Sequence, residues 1–308
     1  MQDPLTGRKT ALKGENLPSP AEREALLGDH RQRLRALDLL VEAAGECDIR
    51  ADQDRDFVRL PEDEVSLLEM SGGAWARFGA ALREFRRCLP LIGLDVFGFD
   101  AAGDAPLDVN TVHLFRVGGG VEALAFEGPD RSIYKFYFFR EGGEIGATFH
   151  FAESDEHEIK ATAVPGSYRL LLLKLLLIHE IGMPTEIIGV TPEGILLVKQ
   201  TLGNVLPHGM NMAEELPKQL IPIPSRFLRA DRDHPRIIFF DDEPWLIADL
   251  HARNFAQCVD GKLRVIDLVA APWPSQLRTQ RSLITDWVKR ARENPTAPAL
   301  PTAHDDEL

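Results

Sequence analysis

Cysteine is scarce in this chain: Cys47, Cys88 and Cys258 are the only three in 308 residues, and they lie far apart. That scatter supports neither a disulfide framework nor a clustered zinc site. Basic charge is in deficit too, with 35 lysines and arginines against 48 aspartates and glutamates and a net charge of −13. Non-specific nucleic-acid binding needs a basic footprint, so the balance argues against nucleic acid as a partner. No apolar segment of signal-peptide type opens MQDPLTGRKTALKGENLPSP, and the run YRLLLLKLLLI, Tyr168 to Ile178, is too short to span a bilayer and contains Arg169 and Lys174. The expectation is a cytoplasmic protein with no membrane partner, its closing HDDEL an acidic tail. No tandem repeat, Gly-Lys-Ser/Thr phosphate loop or zinc-protease His-Glu-x-x-His occurs.

At 308 residues and 44% hydrophobic content, the chain has ample surface to bury in one or two domains. Residues 1–20 are polar and rich in Gly, Pro and Lys, and are expected to form a flexible arm. Ser19 followed by Pro20 marks a helix start before AEREALLGDHRQRLRALDLLVEAAG, and Trp75, Phe78, Leu82 and Phe85 carry the apolar side of a second helical pattern. Residues 21–104 therefore form a mostly helical extension or small domain. Beyond the polar join AAGDAPLDVN, three strands are expected at Val112–Val117, Val121–Phe126 and Ile133–Phe139, with EGGEIGATFHF extending the same sheet. A Leu-rich buried helix follows from Ser167 to Ile181, then a hairpin turning at TPEG. Helical patterns at NMAEELPKQL and SLITDWVKRARE flank the last mixed region, and 296–308 read as a flexible tail.

Three groups of residues carry chemistry. Gly118, Gly119 and Gly120 lie between two strands, where they form either a plain hairpin turn or a backbone cradle for an anion. Lys135 is embedded in SIYKFYFF. Period two puts it on one face with Ile133 and Tyr137, where it must meet an anion or snorkel to water. The stretch LIADLHARNFAQCVDGKLRVIDLVA places Asp249, Asn254 and Asp267 around a hairpin turning at Asp260-Gly261-Lys262. Phosphoryl transfer needs a carboxylate beside the incoming hydroxyl and oxygen ligands for magnesium. Asp249 can orient or deprotonate the acceptor, and Asn254 and Asp267 can hold the metal.

ADLHARN, with Asp249, His251 and Asn254, followed by RVID ending on Asp267, resembles the protein-kinase-like superfamily, including the small-molecule phosphotransferases with an HGDLHxxN loop. The glycines, Lys135 and a hinge near Lys199–Leu202 fall in the same order, across roughly Val112 to Pro274. A weaker likeness is to kinase-like domains in multi-domain proteins of bacterial mobile elements. The resemblance implies an α+β, two-lobed fold behind the helical extension, with an N-lobe at 105–202 and a short C-lobe at 203–295. It implies ATP and Mg²⁺ as cofactors. Gly118, Gly119, Gly120 and Lys135 would meet the phosphates and Gln200, Thr201 and Leu202 the base. Asp249 would be catalytic with His251 supporting it, and Asn254 and Asp267 would be the metal ligands.

The chain also departs from that pattern. Ile247 replaces the His or Tyr two residues before the aspartate, and Leu268-Val269 replaces the glycine after the metal aspartate. No acid stands mid-helix in SYRLLLLKLLLIHE to pair with the strand lysine; Glu180 at its end, or Glu156 or Glu158 before it, are the alternatives. Two functions follow: an ATP- and Mg²⁺-dependent phosphotransferase with an unknown small-molecule or protein acceptor, or a nucleotide-binding pseudokinase acting as a regulatory module. In a third reading the cleft is disused and the N-terminal helices are the working surface, with the remainder folding without them.

Overall fold

The computed structural model describes residues 17–49, 65–66, 68, 70–99, 110–139, 144–153, 159–207, 209–210, 216, 220–223, 228–275 and 292–293. The helices expected at NMAEELPKQL and SLITDWVKRARE, and the candidates Glu156 and Glu158, lie outside these residues apart from isolated positions. The described part is a mixed α+β structure.

Helix α1 (Pro20–Gly45) begins as the sequence dictates. The Ser19 hydroxyl accepts from the Glu22 backbone N–H while the Glu22 carboxylate accepts from the Ser19 N–H, a reciprocal capping box with proline in the first turn. Helix α2 (Gly73–Cys88) buries Phe78, Leu82 and Phe85 against it; Trp75 stays half exposed at the rim, edge-on to Phe78. Helix α3 (Tyr168–Ile181) is capped by Ser167, whose hydroxyl accepts from the Leu170 N–H.

A five-stranded antiparallel sheet follows the order β1 (Phe115–Gly119), β2 (Ala123–Glu127), β3 (Ser132–Tyr137), β7 (Leu196–Thr201), β6 (Thr185–Val190). Here the expectation of three glycines between strands needs correcting. Gly118 and Gly119 are the last residues of β1, and only Gly120 stands in the turn, its N–H donating to Ala123 O. The ladder runs on because the register slips by a bulge between Arg116 and Gly118. One face of this sheet carries Phe126, Phe136 and Leu197 against Phe97 and Phe99, the rings meeting edge to face.

The stretch ATFHFAE does not extend that sheet. It forms β4 (Ala147–Glu153), paired with β5 (Ile159–Pro165) in a separate sheet that also holds a short parallel strand, β10 (Leu228–Ala230). Its apolar residues Phe149, Ile159, Ala161 and Leu228 need a cover. That cover is a third sheet, ordered β15 (Val269–Pro272), β12 (Glu243–Ala248), β11 (Arg236–Phe240), β9 (Ile221–Pro222). Alternation in this third sheet splits its side chains between two cores. Ile237, Leu246, Ala248 and Val269 pack against the β4–β5 sheet, whereas Ile238, Trp245, Ile247 and Ala270 face α3 and the main core. Ile247, at the expected His/Tyr position, is thus a fully buried packing residue. The small sheet β14 (Leu263–Val265), β13 (Phe255–Gln257), β8 (Asn204–Val205) completes the strands.

Helices α1 and α2 contribute Leu34, Leu37, Leu40, Phe78, Leu82 and Phe85 to the same core as α3, β6 and β12. The N-terminal helices therefore share one core with α3. Specific bonds fix them. The Arg23 guanidinium donates to the carbonyls of His179 and Glu180 at 2.6 and 3.0 Å, capping the C-terminus of α3. At the other end of α3, Arg169 pairs with Asp38 at 2.7 Å. His30 Nε2 donates to Thr185 O at 2.8 Å, while His179 donates from Nε2 to Arg23 O and accepts the Thr185 N–H at Nδ1. No helix among the described residues is long and apolar enough to cross a membrane.

Candidate functional site

Asp249, Asn254, Asp267, Lys135 and Gln200 gather where the five-stranded sheet meets the β13–β14 hairpin. Strand β12 ends at Ala248, and the chain turns at Asp249 with φ +66°, a left-handed conformation that Asp tolerates better than most residues. The N–H groups of Asp249 and Leu250 both donate to Asp233 O, at 2.9 and 3.2 Å, so the 231–234 turn backs the loop. A single 3₁₀ turn, Ala252–Asn254, then brings Asn254 back toward Asp249. The Asn254 side-chain Nδ2 donates to the Asp249 carbonyl at 2.7 Å and to its Oδ2 at 3.1 Å. This leaves the Asn254 Oδ1 available as an oxygen donor. His251 Nε2 lies 3.6 Å from Asp249 Oδ1, and its buried Nδ1 has no partner among the described residues. Arg253 is exposed beside this loop.

The hairpin turns at Asp260-Gly261-Lys262 as expected, with Gly261 at φ +76°. Phe255 lies opposite Val265, and Ile266 N–H donates to Asn254 O at 2.9 Å, so Asn254 and Asp267 share the open end of the hairpin. Asp267 Oδ1 accepts the Leu268 N–H at 2.9 Å, and Leu268 itself is buried in the core.

Lys135 reaches this end from β3. It is 7% exposed, and its Nζ donates to Ile266 O at 2.5 Å, joining residues 131 apart in the chain. Gln200 Nε2 approaches the same carbonyl at 3.4 Å and donates to Thr185 Oγ1 at 3.0 Å. Gln200 lies opposite Ile133 on one side and Thr185 on the other, and Thr201 lies opposite Ser132. Of the three expected base-binding positions only Leu202 stands past the strand, with its N–H donating to Arg131 O at 3.3 Å. The middle of α3 holds no acid to face Lys135. Glu180 instead pairs with Arg31 at 3.4 Å.

Two residues of the site were not among those chosen from the sequence. Lys174, in the middle of α3 and completely buried, places its Nζ 2.6 Å from Glu122 Oε2 and 3.6 Å from Asp267 Oδ1, over the Tyr137 ring at 5.8 Å. Glu122 belongs to the turn that follows the glycines. The signal for Lys174 was its setting: one ammonium in LLLLKLLL is as costly to bury as Lys135 in SIYKFYFF. Burial pushes the Lys135 ammonium below its usual range despite Asp267. Burial opposes the Lys174 charge as well, but Glu122 and Asp267 together outweigh it and hold that group above its usual range. Burial likewise works against the Asp267 carboxylate, and Lys174, Lys135 and the Leu268 N–H overcome it and keep the carboxyl below its ordinary range.

Among the described residues no three of His, Cys, Asp and Glu come together as a metal-binding group. The carboxylates beside the lysines are those of Glu122 and Asp267, and the Asn254 amide oxygen shares the hairpin end with Asp267. That set suits magnesium, which is commonly held by one or two protein oxygens together with phosphates and water. A shallow hollow of about 490 Å³ lies beside the glycines, lined by Asn110, Arg116, Val117, Gly118 and Gly119, and includes none of the charged cluster. Comparison with protein-family models, with curated proteins and with solved structures finds no match to this chain.

Proposed function

We propose that the chain is an ATP- and Mg²⁺-dependent phosphotransferase of protein-kinase-like, two-lobed architecture, with the five-stranded sheet and α3 as the smaller lobe. One observation carries this reading. Lys135, in the third strand of the sheet, meets the Ile266–Asp267 corner at the end of the β13–β14 hairpin, beside the Asp249–Asn254 pair. A lysine on the third strand, an acceptor-side aspartate, an asparagine and a metal aspartate are the parts that phosphoryl transfer requires.

Each residue then has a separable task. Lys135 neutralises phosphate oxygens. Asp267 and Asn254 Oδ1 would hold magnesium, which when bound supplies positive charge between phosphates. Asp249, fixed in its turn by Asp233 and Asn254, aligns the acceptor hydroxyl and takes its proton. His251 stands behind Asp249 and orders the loop.

Calorimetric titration with Mg²⁺-ATP separates the tasks. Asp267→Asn should weaken affinity while the protein still folds. Asp249→Asn should leave affinity largely intact and abolish turnover. Equal loss in both, or in neither, would overturn the assignment.

A second reading, a nucleotide-binding regulatory module without turnover, is favoured by one feature. The middle of α3 offers Lys174 where the resemblance expects a glutamate, and Glu180 is committed to Arg31. Thermal stabilisation by Mg²⁺-ATP without phosphate release would favour this reading; turnover abolished by Asp249→Asn would remove it.

A further inference from the structure

Lys174 is held by two acids, Glu122 at 2.6 Å and Asp267 at 3.6 Å. It is fully buried, and burying an ammonium costs several kcal/mol unless it is paired. Its neighbours Leu172, Leu175 and Leu176 show that the helix position suits a purely apolar side chain. The Asp267 carboxylate lies 3.6 Å from the Lys174 ammonium, also draws on Lys135 and accepts the Leu268 N–H, so Lys174 is shared between two acids. What holds Lys174 at 2.6 Å is Glu122.

Glu122 stands in the short turn between β1 and β2, and its side chain keeps 17% of its surface exposed. Lys174 is its ion-pair partner among the described residues. Gly118 and Gly120 just before it have open space where a side chain would project, whereas Gly119 lies close to Leu124 and Arg116. The cluster of Lys135, Lys174, Glu122 and Asp267 sums to zero charge. Rotating the Glu122 carboxylate outward leaves a net positive pocket built from two ammoniums.

We propose that Lys174 is a phosphate-binding residue of the cleft and that the Glu122 carboxylate is its built-in placeholder, displaced when a polyphosphate ligand enters. The proposal rests on reading this cleft as a nucleotide site. In it, α3 supplies a cation and the glycine turn supplies the acid. Bound phosphate oxygens take over the hydrogen bond that Glu122 makes to Lys174, and the released carboxylate turns to water.

Isothermal titration of the full chain with Mg²⁺-ATP, and separately with inorganic tripolyphosphate, tests this in wild type, Glu122→Gln, Lys174→Met and the double variant. Removing the competing charge should tighten tripolyphosphate binding in Glu122→Gln by about tenfold, the scale of one charge-assisted hydrogen bond. Lys174→Met should weaken it by about tenfold or more, and the double variant should show no gain over Lys174→Met. If Lys174→Met fails to fold, Glu122→Gln alone decides, since tighter binding cannot arise from damage. Unchanged or weaker binding in Glu122→Gln overturns the placeholder, even where Mg²⁺-ATP binds and the nucleotide reading stands. Tripolyphosphate binding with these shifts but no ATP binding keeps the anion site and removes the nucleotide reading. Absence of binding to both probes, in wild type and Glu122→Gln alike, overturns the proposal.

Discussion

Acidification should loosen the grip of α1 on the rest of the molecule, and the size of the effect follows from two histidines. His30 is 2% exposed and spends its one N–H on Thr185 O; burial pushes its pKa down from 6.5 to about 3. His179, 1% exposed, is also held below its usual value, chiefly by burial, and its Nδ1 accepts the Thr185 N–H. A proton added at that Nδ1 would face another N–H. The rings lie 5.3 Å apart, so charging both adds repulsion. In the unfolded chain each histidine takes a proton near its ordinary pKa, whereas the folded state resists. The unfolded state therefore binds more protons below pH 6.5, and stability falls as pH drops from there toward 3. For His30, the shift from 6.5 to about 3 corresponds to a loss of roughly 2 kcal/mol on going from about pH 7.5 to about pH 5. His179 adds to it with the same sign. Urea denaturation followed by circular dichroism at several pH values measures the slope. His30→Gln keeps a donor near Thr185 but cannot titrate, so stability in this window should lose up to about 1.4 kcal/mol per pH unit of its slope. An unchanged slope in that variant would refute the claim that His30 is held neutral in the fold.

Arg23→Ala removes the guanidinium that closes the C-terminus of α3, and with charge-assisted bonds to two carbonyls at stake it should cost about 1–3 kcal/mol, read as a lower thermal midpoint. Gly182→Ala would put a Cβ 2.4 Å from Val265 O and 3.1 Å from Ile178 O, backbone atoms that cannot step aside. Overpacking of that kind costs roughly 1–3 kcal/mol, and it should show in denaturation at every pH. Deleting residues 1–104 strips Leu34, Leu37, Leu40, Phe78, Leu82 and Phe85 from the shared core, so the remainder should be insoluble or bind a dye for exposed apolar surface. A soluble, cooperatively folding remainder would show that α1 and α2 are dispensable after all.

The parts of the fold that were legible in the sequence are those set by local rules. Ser19 and Pro20 start α1 because a side-chain acceptor and a missing N–H both suit a first turn. The turns at 191–194 and 260–262 close hairpins because their glycines and polar residues take the required backbone shapes. Pairing between distant segments was not legible. The alternation in ATFHFAE fixes which side chains share a face but not which strand lies alongside, and the partner proved to be β5, itself flanked on its other side by the parallel strand β10, whose register starts at Leu228 opposite Ile159. The layering of α1 and α2 on α3 escaped for the same reason: an apolar helix face states that it is covered, not by what.

At the site, Asp249, Asn254, Asp267 and Lys135 were legible because each is a residue type whose chemistry is narrow and whose spacing follows one hairpin and one strand. Glu122 and Lys174 were not, although the physical signal for Lys174 equals that for Lys135. In the sequence Lys174 reads as an interruption of an apolar run, and the expectation of an acid on that helix directs attention to Glu180. Charge balance corrects this. A lysine buried on a strand requires an acid nearby, but one acid shared by two lysines leaves a positive charge over, and the chain supplies the second acid from the turn after the glycines. Low dielectric makes this bookkeeping strict, because an unmatched charge there costs more than most single contacts return. The elements that must come together are thereby fixed: β3 and α3 bring the cations, the β1–β2 turn and the end of β14 bring the anions. The geometry of the charged cluster depends on all four, so a change of sign at any one of them should move the other three.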